Sequence, residues 1–134
     1  MVDDKIIYKD LCYEVVGLCY GLQNAMGNVA KEKQYQDGFE LLLQQKKKKY
    51  EREKELFFQI GDGKIGGNRV DFVLDDKLPV DFKATKYITR EDFRQMLRYV
   101  KAGKYRLGLI INFRGQKVEV QRVVNSDIKE GIKK

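Results

Sequence analysis

The residues best able to do chemistry in this sequence are two acids and a lysine on neighbouring apolar segments. Val70-Asp71-Phe72-Val73 sets a carboxylate inside a strand-like run, and Val80-Asp81-Phe82-Lys83 repeats the arrangement with an ammonium two residues on. Strand alternation places Asp81 and Lys83 on one face and Val80 and Phe82 on the other. Ionisable groups on interior strands carry a large desolvation cost unless they pair with one another, a metal or a ligand. Two acids can hold Mg²⁺ through oxygen ligands, and a lysine can position or deprotonate the water that the ion activates. That is the chemistry of phosphodiester hydrolysis. The competing account is an edge hairpin with a weak exposed ion pair, and spacing alone leaves the two level.

Composition narrows the choice. The chain has no histidine, which removes Ser-His-Asp and Cys-His nucleophilic sites, histidine zinc sites and histidine general bases. Catalysis must then run on carboxylates, lysine or tyrosine. The 27 Lys and Arg exceed the 20 Asp and Glu, and the net charge of +7 favours polyanionic partners such as nucleic acid. Part of that excess, Lys46 to Lys49 and Lys129, Lys133 and Lys134, reads as solvated ends. Cys12 and Cys19 fall seven apart on one helix, with Cα atoms ~10 Å apart, beyond disulfide reach, so they read as core filler.

The elements that must position the acids follow from periodicity. The 134 residues suit one domain over 1–134 with a polar tail from about 125. Apolar residues at helical spacing predict a helix from Asp3 to about Met26, stopped by Gly27 and Asn28, and a second from about Val29 to Lys48, weakened at Gly38. Strands are predicted at Tyr50 to Ile60, Asn68 to Leu74 and Leu78 to Ala84, with turns at residues 61–63 and 75–77. Pro79 suits an early strand position or a bulge. Thr89-Arg90-Glu91-Asp92 is a capping box opening a helix with a Phe93, Met96, Leu97, Val100 stripe that stops at Gly103. Tyr105 to Asn112 and Gln116 to Val124 complete the order ααβββαββ, an α/β or α+β domain with a central sheet and helices on at least one face. No apolar run approaches the ~18 residues of a membrane span and the N-terminus is acidic, so the expected location is cytoplasmic.

Asp71 followed ten residues later by Asp81-Phe82-Lys83, on consecutive strands between helices, resembles the PD-(D/E)XK nuclease superfamily. Further segments narrow the resemblance: Gly27 through Glu32-Lys33-Gln34-Tyr35, Ile65 to Phe72, Gln95-Met96-Leu97-Arg98-Tyr99 and Leu107 to Phe113. In that order, from about Asp4 to Val124, the chain is similar to the GxxExxY family of that superfamily. It departs in having Val29 for the second glycine, and Asp81 where glutamate is commoner.

The resemblance implies a restriction-endonuclease-like core, a central mixed sheet flanked by helices, and a Mg²⁺- or Mn²⁺-dependent nuclease acting on DNA before RNA. Carried over by position, Asp71 is the central metal ligand, with Asp81, the Phe82 carbonyl and Glu32 beside it. Lys83 orients the attacking water and offsets charge on the phosphate. Helical spacing puts Glu32 on one face with Tyr35 and Phe39. Gln95 matches a glutamine that approaches the site from the following helix. It shares a face with Ile88 and Tyr99, either solvated or turned to a cleft under the N-terminal helices. Tyr35, Arg69, Arg94, Arg98 and Tyr99 are the expected nucleic-acid contacts, although a basic stripe such as Arg94, Arg98 and Lys101 is usually just solvated. The rival functions are an idle nuclease-fold module that binds nucleic acid, and a protein-interaction domain. No self-complementary patch for a homodimer is legible.

Overall fold

The computed structural model describes residues 7–128, so the expected helix start at Asp3 and the lysines of the tail lie outside the described residues. The elements run α1 (Lys9–Met26), α2 (Glu32–Gln45), β1 (Tyr50–Ile60), β2 (Gly63–Leu74), β3 (Leu78–Lys83), α3 (Arg90–Gly103), β4 (Leu107–Asn112) and β5 (Glu119–Val124). This is the expected order, with several shorter elements.

The shortened ends have local causes. Tyr8 takes a left-handed φ of 52°, so α1 begins at Lys9, and Gly27 at φ 73° closes it as expected. Lys31 is extended, and its N–H donates to Gln34 Oε1 at 2.8 Å, which starts α2 at Glu32 and not at Val29. The same helix stops at Gln45, before Lys47 turns the chain with a φ of 56°. Gly38 is no weak point. A Cβ there would come within 2.7 Å of Leu22 Cδ2, so the bare backbone lets α1 and α2 approach closely.

The sheet order is β1-β2-β3-β4-β5, with β3 and β4 parallel and the other neighbours antiparallel. Only the β3–β4 step needs a crossover, and α3 supplies it. Asp75 and Asp76 both have positive φ in the three-residue turn 75–77 that joins Leu74 to its partner Leu78, and Lys77 N–H donates to Leu74 O at 3.0 Å. Pro79 precedes the first β3–β4 pair, Val80 opposite Leu109, so the parallel ladder loses no donor. β2 starts at Gly63, five residues before the expected Asn68, and pairs along β1 as far as Ile60 opposite Gly63. Only Phe72, Val73 and Leu74 pair with β3, so most of the β1–β2 ribbon projects beyond its neighbour.

Alternation divides the core into two layers. Phe72, Leu74, Val80, Phe82, Leu107, Leu109 and Ile111 pack against α1 and α2, through Cys19, Leu22, Phe39 and Leu43 among others. Val70, Val73, Ile110 and Val123 pack against Met96, Tyr99 and Val100 of α3. Phe93, expected in the buried stripe of α3, is exposed, because the seat of the helix is turned toward Met96, Tyr99 and Val100. Cys12 and Cys19 are buried free thiols, consistent with core filling. No helix among the described residues is long and apolar enough to cross a membrane.

The α3 layer leans on one bare position. A Cβ on Gly108 of β4 would collide with Met96 and lie 3.0 Å from Val100 Cγ1. Both partners are buried, so the Met96 side chain or the helix that carries it must give way. Gly108→Ala is expected to destabilise the fold by about 1–3 kcal/mol in urea unfolding. An unchanged midpoint would mean that α3 does not rest on β4.

Candidate active site

The β2–β3 ladder runs from Leu74 opposite Leu78 to Phe72 opposite Val80 and goes no further. One residue on, the carboxylates of Asp71 and Asp81 accept where ladder carbonyls would. The Asp71 N–H donates to Asp81 Oδ1 at 3.2 Å, and the Phe82 N–H donates to Asp71 Oδ2 at 2.8 Å. On the opposite flank the β1–β2 register passes from Arg52 opposite Phe72 to Lys54 opposite Val70. No pair lies between, and Glu53 has a φ of 52°. Val70 and Val73 both face the α3 layer, so the alternation slips by one residue around Asp71. Local irregularity of this kind re-aims a strand side chain.

Lys83 completes the cluster. Its ammonium lies 3.2 Å from Asp81 Oδ2 and 3.9 Å from Asp92 Oδ1, and it donates to Gln95 Oε1 at 2.9 Å. The Lys83 and Asp81 side chains are 15% and 7% exposed, so this ion pair is not a solvated surface bridge. Gln95 therefore faces the acids, on the inward of its two expected placements. The cleft is not under the N-terminal helices, however. α3 covers the opposite face of the sheet from α1 and α2, and the first turns of α2 and α3 reach the end of β3 from either side.

Glu32 opens α2 and is electrostatically linked to Lys83, Asp81 and Asp92. Gln36, one turn on, donates its Nε2 to Glu32 Oε2 at 3.4 Å and accepts from Arg52 Nη2 at 3.4 Å. Arg52 is held in turn by Asp37 and Glu40, each at 2.7 Å.

Sequence reasoning missed Asp92. It was read only as the last residue of the capping box, and it does fill that role: its Oδ2 accepts from Thr89 N–H at 3.0 Å. Its other oxygen faces Lys83. The available signal was spacing, since Asp92 and Gln95 are three apart on one helix and share a face.

Burial and the neighbouring Asp81 push the Asp71 carboxyl up to about 8. Burial also raises Glu32, with Lys83 opposing and Asp81 and Asp92 adding to the rise. For Lys83, burial pulls the ammonium down, but the charge and hydrogen bond of Asp81 outweigh it and the net shift is upward. Burial, Asp81 and Asp71 raise Tyr99, which keeps it a neutral hydroxyl.

The remaining expected residues divide. Tyr35 is fully buried: its ring stacks on Phe113 at 4.1 Å and its hydroxyl donates to Gly27 O at 2.6 Å. It anchors the α1–α2 turn and has no surface for nucleic acid, which corrects the expected contact. Tyr99 is 5% exposed and likewise offers no open ring face. The Phe82 ring packs edge-on to Phe39 and Phe113, leaving only backbone atoms for the site. Arg69 is exposed, 3.8 Å from Glu55. Arg94 and Arg98 are exposed on α3, the latter 3.8 Å from Glu91.

Among the described residues, no three acidic or cysteine side chains converge into a cage for a metal ion. The donor chemistry nevertheless suits a hard cation that keeps several waters and takes one or two carboxylates. Asp71 and Asp81 offer only oxygens, and their repulsion is what a divalent cation relieves.

No curated protein matches the sequence. Among solved structures the chain is similar to the crystal structure of SSO0001, at 17% identity and a TM-score of 0.54 over 88% of this chain. The match spans 57% of that other chain, and at this identity it speaks for the fold alone. The acid, acid-x-Lys constellation and its helices fall inside a match of the PD-(D/E)XK nuclease superfamily model to residues 9–123. A match over that much of the sequence settles the family: the chain belongs to the PD-(D/E)XK nuclease superfamily.

Proposed function

We propose that the protein is a metal-dependent nuclease that hydrolyses phosphodiester bonds, with DNA as the substrate, of the GxxExxY type that its motifs resemble. The observation that carries this is the largely covered Lys83 ammonium, fixed between Asp81 and Gln95 beside a carboxylate pair inserted into the sheet ladder. A purely structural ion pair has no need to break the ladder at the same point.

Asp71 and Asp81 would hold Mg²⁺ or Mn²⁺, with Glu32 and the Phe82 carbonyl as further oxygens. Bound there, the ion supplies Lewis acidity toward the phosphoryl group and eases deprotonation of water. Lys83, kept cationic by Asp81, donates hydrogen bonds to the attacking water or a phosphoryl oxygen and offsets the charge that grows in the transition state. It is not the base. Glu32, with its raised proton affinity, receives the water's proton as the water oxygen bonds to phosphorus, and the ester oxygen leaves as its P–O bond breaks, taking a proton from solvent. Gln95 and Asp92 limit where the lysine can point. Arg69, Arg94 and Arg98 supply exposed charge for the strand, in line with the net charge of +7.

The test is cleavage of single-stranded, duplex and branched DNA with Mg²⁺ or Mn²⁺. Cutting abolished by EDTA is expected. DNA binding with no cutting under any of these conditions would overturn the enzyme in favour of an idle binding module, and cutting of RNA alone would overturn the DNA assignment.

A further inference from the structure

Beside the acids and Lys83, α3 and β1 bring together side chains that take no part in the chemical step. Phe58 of β1 and Leu97 of α3 floor a hollow of about 200 Å³, and Arg94, Arg98 and Lys101 rim it. Phe58 and Leu97 are half-buried against the α3 layer, so each keeps an open apolar surface. The charged partners of the rim, Glu91 for Arg98 and Asp127 for Lys101, are themselves mostly exposed. Such pairs contribute little, and a phosphate can displace them at small cost.

We propose that this hollow is a subsite for an unpaired nucleobase of the substrate strand, with the cationic rim on the flanking phosphates. This deepens the nuclease assignment and rests on it for the substrate class. An apolar surface with an aromatic ring beside a row of cations on one helix face matches an unstacked nucleotide, which offers a π-face and a charged backbone together. A paired duplex keeps its bases stacked and presents phosphates outward, so the floor would have no partner. Position supports the same occupant. Arg94 and Arg98 flank Gln95, whose side chain holds Lys83. Along β1, the stretch from Glu53, beside Asp71, to Phe58 is about 16 Å at ~3.3 Å per residue. An extended strand crosses that distance in a few nucleotides, which leaves the scissile phosphate at the acids. The enzyme is thereby directed to single strands or flayed ends over intact duplex.

The test is binding in EDTA, where nothing is cut, using fluorescein-labelled oligothymidylate, the same label on a blunt duplex, and polyglutamate as competitor. Phe58→Leu, which keeps an apolar floor but removes the ring, is expected to weaken oligothymidylate binding roughly ten-fold and to leave duplex binding unchanged. Arg94→Gln, on an exposed residue that cannot disturb the core, should lower the slope of log affinity against log salt by about 0.7. Thermal melts of both variants confirm folding. Unchanged oligothymidylate binding in folded Phe58→Leu together with an unchanged salt slope in Arg94→Gln overturns the subsite. So does competition by polyglutamate as effective as that of unlabelled oligothymidylate, which would make the occupant an acidic peptide. Failure of the nuclease assignment looks different: ring-dependent oligothymidylate binding persists, and no DNA is cut when Mn²⁺ is restored.

Discussion

Lys83→Ala is expected to slow cleavage by a factor on the order of 10² or more at saturating metal and substrate. The side chain is fixed on three sides, by Asp81, Asp92 and Gln95, with its ammonium at the end of β3 where the carboxylate pair opens. An ammonium held in place before the reaction needs no reorganisation as charge develops on the phosphate, which is why its loss falls on turnover more than on binding. The same geometry predicts a cost in stability. Removing the lysine leaves Asp81 buried beside Asp71 without its cation, and breaking a buried pair in this way costs about 3 kcal/mol. Metal should restore much of that loss, because it supplies the missing charge. Assays therefore compare initial rates with urea unfolding of the same preparation. Lys83→Gln, which keeps a hydrogen-bond donor and avoids a cavity, is the second variant where alanine unfolds. Wild-type turnover in either folded variant ends the catalytic role. A cost in stability that metal does not reverse, with the rate unchanged, would make Lys83 a structural ion-pair partner.

The parts of this arrangement that were legible in the sequence are those set by local rules. The Thr89 capping box, the turn at Asp75-Asp76, and the alternation that separates Asp81 and Lys83 from Val80 and Phe82 each depend on a few adjacent residues, and all appear where they were expected. What was not legible depends on partners far along the chain. The sequence reading puts Gly63 in the 61–63 turn and starts the strand only at Asn68, past Gly66 and Gly67, yet most of that segment pairs with β1, since cross-strand contacts outweigh intrinsic preference. Gly38 read as a weakness until Leu22 was seen packed against it. The break in the ladder at Asp71 has no signature in Val70-Asp71-Phe72, because it arises from strands on both sides, from Glu53 on one and Asp81 on the other. Tyr35 shows the limit of a face argument. Helical spacing grouped it with Phe39, and both are buried in one core, but spacing could not tell a core aromatic from one that meets a ligand.

The crowding of acids makes the second large expectation thermodynamic as well as kinetic. Asp71→Asn should abolish cleavage, yet in the absence of metal it should be as stable as the wild type at neutral pH or more stable by ~1 kcal/mol. Asparagine can still accept from Phe82 N–H, the bond Asp71 makes at 2.8 Å, while removing one of two adjacent negative charges. The sign follows from the raised proton affinity. With a folded-state pKa near 8 against an unfolded value near 4, Asp71 binds a proton more tightly in the folded protein, so metal-free stability is highest at low pH within that window. It falls as pH rises from about 4 toward 8 and levels off above, and Glu32 adds a slope of the same sign. The absence of histidine leaves this interval otherwise nearly silent, apart from the α-amino group. The lowered carboxyls of Asp37 and Glu40 act in the opposite sense, but below the usual carboxylate range. Asp71→Asn should therefore flatten the wild-type slope between pH 5 and 8. Mg²⁺ or Mn²⁺ should raise the melting temperature of the wild type through binding linkage and barely move the variant. Thermal melts of both proteins across that pH range, with EDTA and with metal, decide the matter. An Asp71→Asn protein clearly less stable than metal-free wild type at pH 7, or an equal response of both to metal, would mean that these acids hold no cation and that the broken ladder serves the fold alone.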